Sequence, residues 1–514
     1  MNNNFLRQYG VFVIIILLFG TVQPVKAQDK APLYEFRGVW IASVANIDWP
    51  SRPGLDAEEQ KRELLWILDQ HQLSGMNAIM LQVRPTADAF FQNGKEPWSY
   101  YLTGEQGKAP EPDYDPLAFA VEKAHERGME LHAWFNPYRA SQDLDPGKRS
   151  QKHISHTRPE WFFTYDGKTY FDPGIPEVRE YILEVILDVV RRYDIDGVHF
   201  DDYFYPYPGK TALPDSLTYK EYGADRFDSI EDWRRDNVDQ LIRELNEAIH
   251  AEKPWVKFGI SPFAIWRNKK EDERGSETNG FSSYSGLYAD VYKWGKEGWM
   301  DYVNPQIYFP FGYPPAAYEN LLEWWDRHSF DRHVYVGQAA YRAMGSRDGW
   351  EDKSQLPRQI RALREKENVH GSVYFSSRSL MNNLAGLTDS LRTDFYRHPA
   401  LPPAMPWLDD VPPEPVSELS ASVIGDRFVR LRWKEPAAAA DGDRAYGYVI
   451  YRYREGENAD KNDARQVVHI SYHADPFYFD IPPQEGSTII YEVRAIDRMK
   501  NISKKADSVK VTFR

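Results

Sequence analysis

From Phe36 onward, short apolar or β-branched runs alternate with longer stretches whose apolar residues recur every three to four positions. The short runs at 36–42, 77–83, 130–135, 197–200, 257–261, 302–307, 333–337 and 372–375 read as strands. The amphipathic stretches at 58–73, 116–127, 176–193 and 231–251 read as helices. Strand and helix in strict alternation imply parallel βαβ units, and eight of them predict an α/β fold closed as a (β/α)8 TIM barrel. The alternative is a doubly wound open sheet, but no Gly-rich phosphate turn follows any of these strands. Loops leaving strands two to five are long, aromatic and Pro-rich, whereas the returns at 74–76 and 128–129 are short. Barrels of this kind build their sites from the loops after the strands, so chemistry is expected there.

The pattern changes near residue 399. Residues 399–415 hold too many prolines for helix or central strand and read as a linker. Beyond them the apolar period is two, as in Val429-Arg430-Leu431-Arg432-Trp433 and in 446–453, and no helix is predicted. A small β-sandwich over 416–514 follows. Its cadence of Val-x-Leu-x-Trp, Gly-Tyr-x-Ile-Tyr-Arg and Tyr-x-Val-x-Ala-x-Asp resembles a fibronectin type III module, and no catalytic constellation stands out in it. The barrel is assigned to 34–398.

Residues 1–27 read as a signal peptide: Arg7 is its positive end, 11–20 an apolar run too short to span a bilayer, and Val25-Lys26-Ala27 a small-x-small cleavage site. The expectation is an exported protein, periplasmic or secreted, without stable membrane insertion once the leader is gone. The alternative is an uncleaved N-terminal anchor. Cysteine is absent, which excludes disulfides, thiolate catalysis and Cys-ligated zinc. The net charge of −14, or −16 without Arg7 and Lys26, argues against nucleic acid and anionic membranes as partners. Aromatic residues make up 15% of the chain, enough to supply stacking surfaces for sugar rings as well as a core.

Candidate chemistry concentrates in the fourth strand, where Asp196-Gly197-Val198-His199-Phe200-Asp201-Asp202-Tyr203 ends in two adjacent carboxylates. With Val198 and Phe200 facing the helices, His199 and Asp201 face the barrel axis near its mouth, and Asp202 opens the loop. Two neighbouring acids do not both ionise without a partner, so either something pairs with them or one keeps its proton. The same alternation turns Gln82, Arg84, Trp134, Asn136, Gln306, Tyr308, Tyr374 and Ser376 inward. Trp40, Asp48, Trp49, Arg139, Tyr203 and Trp266 join the candidate substrate-binding set, with Trp98 and Tyr205 as further stacking candidates. Arg84 and Arg139 read equally as substrate clamps or as counter-ions for the acids. No His-x-Glu or EF-hand spacing calls for a metal, and no cofactor is expected.

Glycoside hydrolysis ordinarily uses two carboxyl groups about 5–5.5 Å apart for retention or about 6.5–9.5 Å for inversion. Here the fifth and seventh strands end in Ser261-Pro262 and Gly337-Gln338, without an acid. An Asp pair suits substrate assistance instead: the acetamido oxygen of an N-acetylhexosamine attacks the anomeric carbon, one Asp orients it, and the other protonates the leaving oxygen. Asp201 is expected to orient and Asp202 to act as acid, with Tyr308 supporting the acetamido group.

The segments Glu35-Phe36-Arg37-Gly38-Val39-Trp40, Gln82-Val83-Arg84-Pro85, His132-Ala133-Trp134-Phe135-Asn136-Pro137, Asp196 to Tyr203 and Asn304-Pro305-Gln306-Ile307-Tyr308 together resemble the glycosyl hydrolase-like 10 family. The resemblance spans about 34–395. It implies a barrel hydrolase of envelope glycans, including peptidoglycan strands stripped of their peptides, whose N-acetylated sugars carry the group that assistance requires. The Asp pair also resembles that of O-GlcNAc-type hexosaminidases in local pattern. Two alternatives stand beside this reading: direct displacement with Asp201 as nucleophile, as in the α-amylase and α-galactosidase group, and a glycan-binding barrel without catalysis.

Overall fold

The computed structural model describes residues 31–143, 145, 149–425, 428–457, 459–472, 475–482, 488–504 and 507–512. The leader therefore lies outside the described residues. Eight parallel strands close a barrel: β1 (Phe36–Ile41), β2 (Ala78–Arg84), β3 (Glu130–Phe135), β4 (Gly197–Phe200), β5 (Lys257–Ile260), β6 (Tyr302–Val303), β7 (His333–Gln338) and β8 (Val369–Tyr374). Each pairs with its sequence neighbours, and β1 pairs with β8 to complete the ring. Nearly every strand residue is buried, as expected where both sheet faces are covered.

The four predicted helices are α1 (Ala57–Leu73), α2 (Pro116–His125), α3 (Pro176–Arg192) and α4 (Ile230–Glu252). Their starts are chemically marked. Asp56 and Glu59 form a reciprocal capping box on α1, Asp115 caps α2 ahead of Pro116, Pro176 opens α3, and Ser229 caps α4. Val39, Ile41, Ile79, Leu81, Val198 and Phe200 pack outward against these helices. Among the described residues no helix is long and apolar enough to cross a membrane.

Strand β6 is shorter than the predicted 302–307, because Pro305 has no N–H to continue the ladder. Gln306 still bridges to Phe263 and Gly337.

The barrel axis is filled by rings. Phe36 stacks on Tyr335 at 4.0 Å, and Tyr302 and His132 cross the centre. These bulky groups fit because the neighbouring strand positions are glycine: a Cβ on Gly259 would lie 1.8 Å from the Tyr302 ring, and one on Gly197 2.4 Å from His132. A polar chain threads the rings: Trp40 Nε1 donates to His199 Nε2 (3.0 Å), and Tyr302 Oη lies 3.0 Å from His199 Nδ1 and 2.9 Å from His132 Nδ1. His132 Nε2 reaches Glu130 (3.2 Å), which Lys257 contacts at 2.7 Å. An indole N–H only donates and a carboxylate only accepts, which fixes the two ends of this chain, Trp40 at the mouth and Glu130 at the floor.

Beyond the barrel, β9 (Ser417–Ile424), β10 (Phe428–Lys434) and β13 (Phe477–Asp480) form one antiparallel sheet. A second sheet has the order β12 (Val467–Ser471), β11 (Gly447–Arg454), β14 (Thr488–Ile496) and β15 (Asp507–Thr512). Leu431, Trp433, Tyr448, Ile450, Tyr491 and Val493 form their shared core. The Pro-rich segment runs under the barrel floor, where Trp407 Nε1 donates to Asp301 at 2.9 Å. The β-unit meets the same floor through Lys500, buried 3.4 Å from Glu130, and Arg498, 2.5 Å from Asp194.

Candidate active site

The loops at the C-terminal mouth enclose a cleft of about 690 Å³, a size that suits one or two sugar rings. Its floor and walls include Trp40, Gln82, Trp134, Arg139, Asp201, Asp202, Tyr203, Gln306 and Tyr308. Nine of the sixteen sequence candidates therefore share one surface. The acids lining the cleft are Asp201 and Asp202 and no others among the described residues.

Both carboxyls are buried and heavily hydrogen-bonded. Asp201 Oδ2 accepts from Asn136 Nδ2 (2.6 Å) and Trp134 Nε1 (3.1 Å), and its Oδ1 from the Tyr203 N–H (3.2 Å). Asp202 Oδ1 accepts from Gln306 Nε2 (3.1 Å), and its Oδ2 shares a hydrogen bond with Tyr207 Oη. Burial, followed by the charge of Asp202, pushes Asp201 up to about 7, and burial raises Asp202 as well. The cause is mutual: two charges this close and this dry do not coexist, so the pair retains one proton near neutrality. Arg139 tempers both. It is held by the Asn136 and Pro85 carbonyl oxygens and lies over the Tyr203 ring at 4.9 Å. A short three-stranded sheet after β3, formed by Arg139–Ser141, Lys168–Phe171 and Phe162–Tyr165, carries Arg139, Gln142 and Lys168 to this wall.

Asn136 supports the pair without lining the cleft: fully buried, it also accepts from Gln82 Nε2 at 2.6 Å. Six other candidates lie elsewhere, each for a physical reason. A register shift between Gln82 and Arg84 turns Arg84 out of the inward row, and it pairs at 2.6 Å with buried Glu96 instead of the Asp pair. Asp48 accepts from the Ala42 and Arg378 N–H groups and from Ser376, tying the loop after β1 to the end of β8. Trp49 is fully buried with its N–H on the Gln60 carbonyl. Trp266 stacks between Tyr292 and Trp324 and donates to Asp290. His199 is spent between Trp40 and Tyr302, and burial holds it far below the usual imidazole range, so it is neutral. Tyr374 faces the helices and meets Tyr396 Oη at 2.8 Å, while Val373 faces the axis. Because both faces of this strand are buried, polarity did not mark its inner side. Trp98 and Tyr205 also pack away from the cleft, and Asp172 holds a turn by accepting from Gly174.

The cleft contains residues that sequence reasoning missed, above all Tyr101, Tyr207, Phe263, Tyr341, Arg342 and Phe375. Tyr207 had a local signal, since it continues the aromatic loop directly after the Asp pair. The others come from loops distant in sequence, and no periodicity predicts where a loop side chain faces. Together the walls offer aromatic faces at the rim, cations beside it and a proton-sharing acid pair at the floor, which is the equipment for acid-catalysed cleavage of a sugar bond.

The profile of the family described as "Glycosyl hydrolase-like 10" matches residues 35–350, which include the whole acid pair and seven of the eight strands. The chain is 44% identical over 502 residues to "Glycosyl hydrolase YngK" of Bacillus subtilis (strain 168), covering 96% of this chain and 95% of that one. It is 39% identical over 343 residues to "Glycosyl hydrolase DigH" of Escherichia coli (strain K12), covering 63% of this chain and 76% of that one. Among solved structures, the PgaB (BpsB) glycoside hydrolase domain of Bordetella bronchiseptica aligns over 71% of this chain and 99% of its own, with a TM-score of 0.44 and 16% identity. By the profile match and by the near full-length likeness to the Bacillus protein, this chain belongs to the glycosyl hydrolase-like 10 family and is a glycoside hydrolase.

Proposed function

We propose that the cleft cleaves glycans containing N-acetylhexosamine, with peptide-free peptidoglycan strands as the natural substrate, and that the 2-acetamido group of the substrate acts as nucleophile. The observation that carries this reading is the pair of acids without a third: no other carboxylate lines the cleft to serve as a separate nucleophile among the described residues. Asp201, held by three N–H donors, orients and charge-stabilises the acetamido N–H, and Asp202 protonates the leaving oxygen. Trp40, Trp134, Tyr203 and Tyr308 line the cleft and offer faces for the sugar rings, and in this reading Tyr308 supports the acetamido group. The leader pattern fits export to the compartment where such strands occur.

Purified glycan strands incubated with wild type and with the Asp201→Asn and Asp202→Asn variants test the site, with products read by mass. Both substitutions should lower turnover by at least about a hundredfold. A thiazoline mimic of the oxazolinium intermediate should inhibit the wild type competitively. Full activity in both variants would remove the pair from the chemistry, and thiazoline resistance with active wild type would favour direct attack by Asp201.

A further inference from the structure

Which member of the acid pair holds the shared proton follows from which neighbours are able to receive it. Asp201 meets three nitrogen donors, Trp134 Nε1, Asn136 Nδ2 and the Tyr203 N–H. The Asn136 amide has one possible orientation, because its oxygen faces Arg139 Nη2 at 2.8 Å, a group that only donates. None of the three protein neighbours of Asp201 therefore accepts a proton. Asp202 Oδ1 is in the same position: Gln306 Nε2 also contacts the Ser261 carbonyl at 3.0 Å, which fixes that amide as a donor. The remaining contact, Tyr207 Oη at Asp202 Oδ2, is a hydroxyl, and hydroxyls accept as well as donate.

We propose that the resting pair keeps its proton on Asp202 Oδ2, donated to the Tyr207 hydroxyl, and that Tyr207 is a positioning residue that holds the acid ready until the glycosidic oxygen replaces it as acceptor. This rests on the reading of Asp201 and Asp202 as the acid pair of the reaction and assigns their division of labour. Tyr207 sits at the rim, 37% exposed, with its ring stacked on Phe281 at 5.2 Å and edge-on to Tyr203. It belongs to the loop and not to the barrel wall, so an entering sugar competes with its hydroxyl for Asp202. In the step itself the Asp202 O–H bond breaks and the proton passes to the glycosidic oxygen. That oxygen keeps the electron pair of its bond to the anomeric carbon, and the acetamido oxygen forms the new bond there. Asp201 stays ionised throughout: the part of its upward shift owed to the charge of Asp202 is absent while Asp202 holds the proton, and three N–H donors hold its carboxylate.

The sign of one shift tests this. The titratable and charged groups facing Asp202 and Tyr207 are Asp201 and Tyr203 on the same segment, Arg139 from the segment after β3, and Tyr308 from the segment after β6; Lys168 and Arg342 line the same cleft. Tyr207→Phe leaves all of them in place, and removes only the hydroxyl. An accepting hydroxyl stabilises the protonated acid, so its loss should lower the midpoint of the pair's protonated form by about one unit. The readouts are the carboxylic-acid carbonyl band in infrared pH titrations of the full chain, with Asp202→Asn as the blank, and the alkaline limb of the kcat profile. A midpoint that rises would mean that the hydroxyl donates to a carboxylate, and an unchanged midpoint that Tyr207 does not hold the proton; either overturns the proposal. If no glycan is cleaved by any variant, the functional reading falls, while the infrared midpoint still decides this one.

Discussion

Replacing Asn136 by Ala probes how the acid pair is held. Asn136 is fully buried, donates to Asp201 at 2.6 Å, and accepts from Gln82 and Arg139 at 2.6 and 2.8 Å. A hydrogen bond to a charged group is worth about 1.5–3 kcal/mol, and this one favours the ionised form of Asp201. Its loss should raise the acid limb of the kcat/KM profile by about one to two pH units at about 1.36 kcal/mol per unit. At the optimum the same energy corresponds to a drop of about ten- to a hundredfold in rate. The Gln82 and Arg139 donors lose their acceptor at the same time, which should cost about 1–3 kcal/mol in urea unfolding. The assay is the pH dependence of strand cleavage beside an unfolding curve for each variant. An unshifted acid limb with wild-type turnover would refute the claim that Asn136 stabilises the Asp201 carboxylate.

Three further outcomes follow from the same geometry. Burial and mutual repulsion raise the pair, so its contribution to folding is present below pH about 4 and lost as pH climbs to about 7. Wild type should therefore lose up to about 4 kcal/mol across that window relative to the Asp201→Asn/Asp202→Asn double variant, measured by denaturant unfolding at each pH. Arg84→Met leaves Glu96 buried without its partner and should cost about 3–5 kcal/mol of stability, while surviving enzyme keeps the wild-type pH profile. A shifted profile there would place Arg84 among the groups that tune the pair. Gly259→Ala puts a Cβ 1.8 Å from the Tyr302 ring at the barrel centre and should lower stability by about 1–3 kcal/mol or more; thermal unfolding unchanged from wild type would contradict that packing.

The barrel was legible because its strands carry unbroken apolar runs and its helices carry marked starts such as Asp115-Pro116 and Asp56 with Glu59. The acid pair was legible for the same reason: parity along 197–202 directs Asp201 to the mouth whatever the loops do. Parity held for Trp134 as well, and Gln306 and Tyr308 reach the cleft although their strand ends at Val303. It failed at Arg84, where the ladder shifts register, and at Tyr374, where an aromatic barrel interior removes the contrast between faces. Trp49 and Trp266 show the limit for loops. Nothing local distinguishes an indole whose N–H is taken by a buried carbonyl or carboxylate from one that meets a sugar. Tyr101, Tyr341 and Phe375 enter the cleft from three loops far apart in sequence, and only closure of the barrel brings them together.

In the proposed reaction the nucleophile is part of the substrate. Cleavage rates for a series of N-acyl glycosides, acetyl through mono-, di- and trifluoroacetyl, measure that nucleophile's involvement, because each fluorine weakens the attacking oxygen. Substrate assistance at Asp201 and Asp202 predicts a turnover that falls stepwise along the series. A turnover independent of fluorine content would contradict it and leave Asp201 as the attacking group.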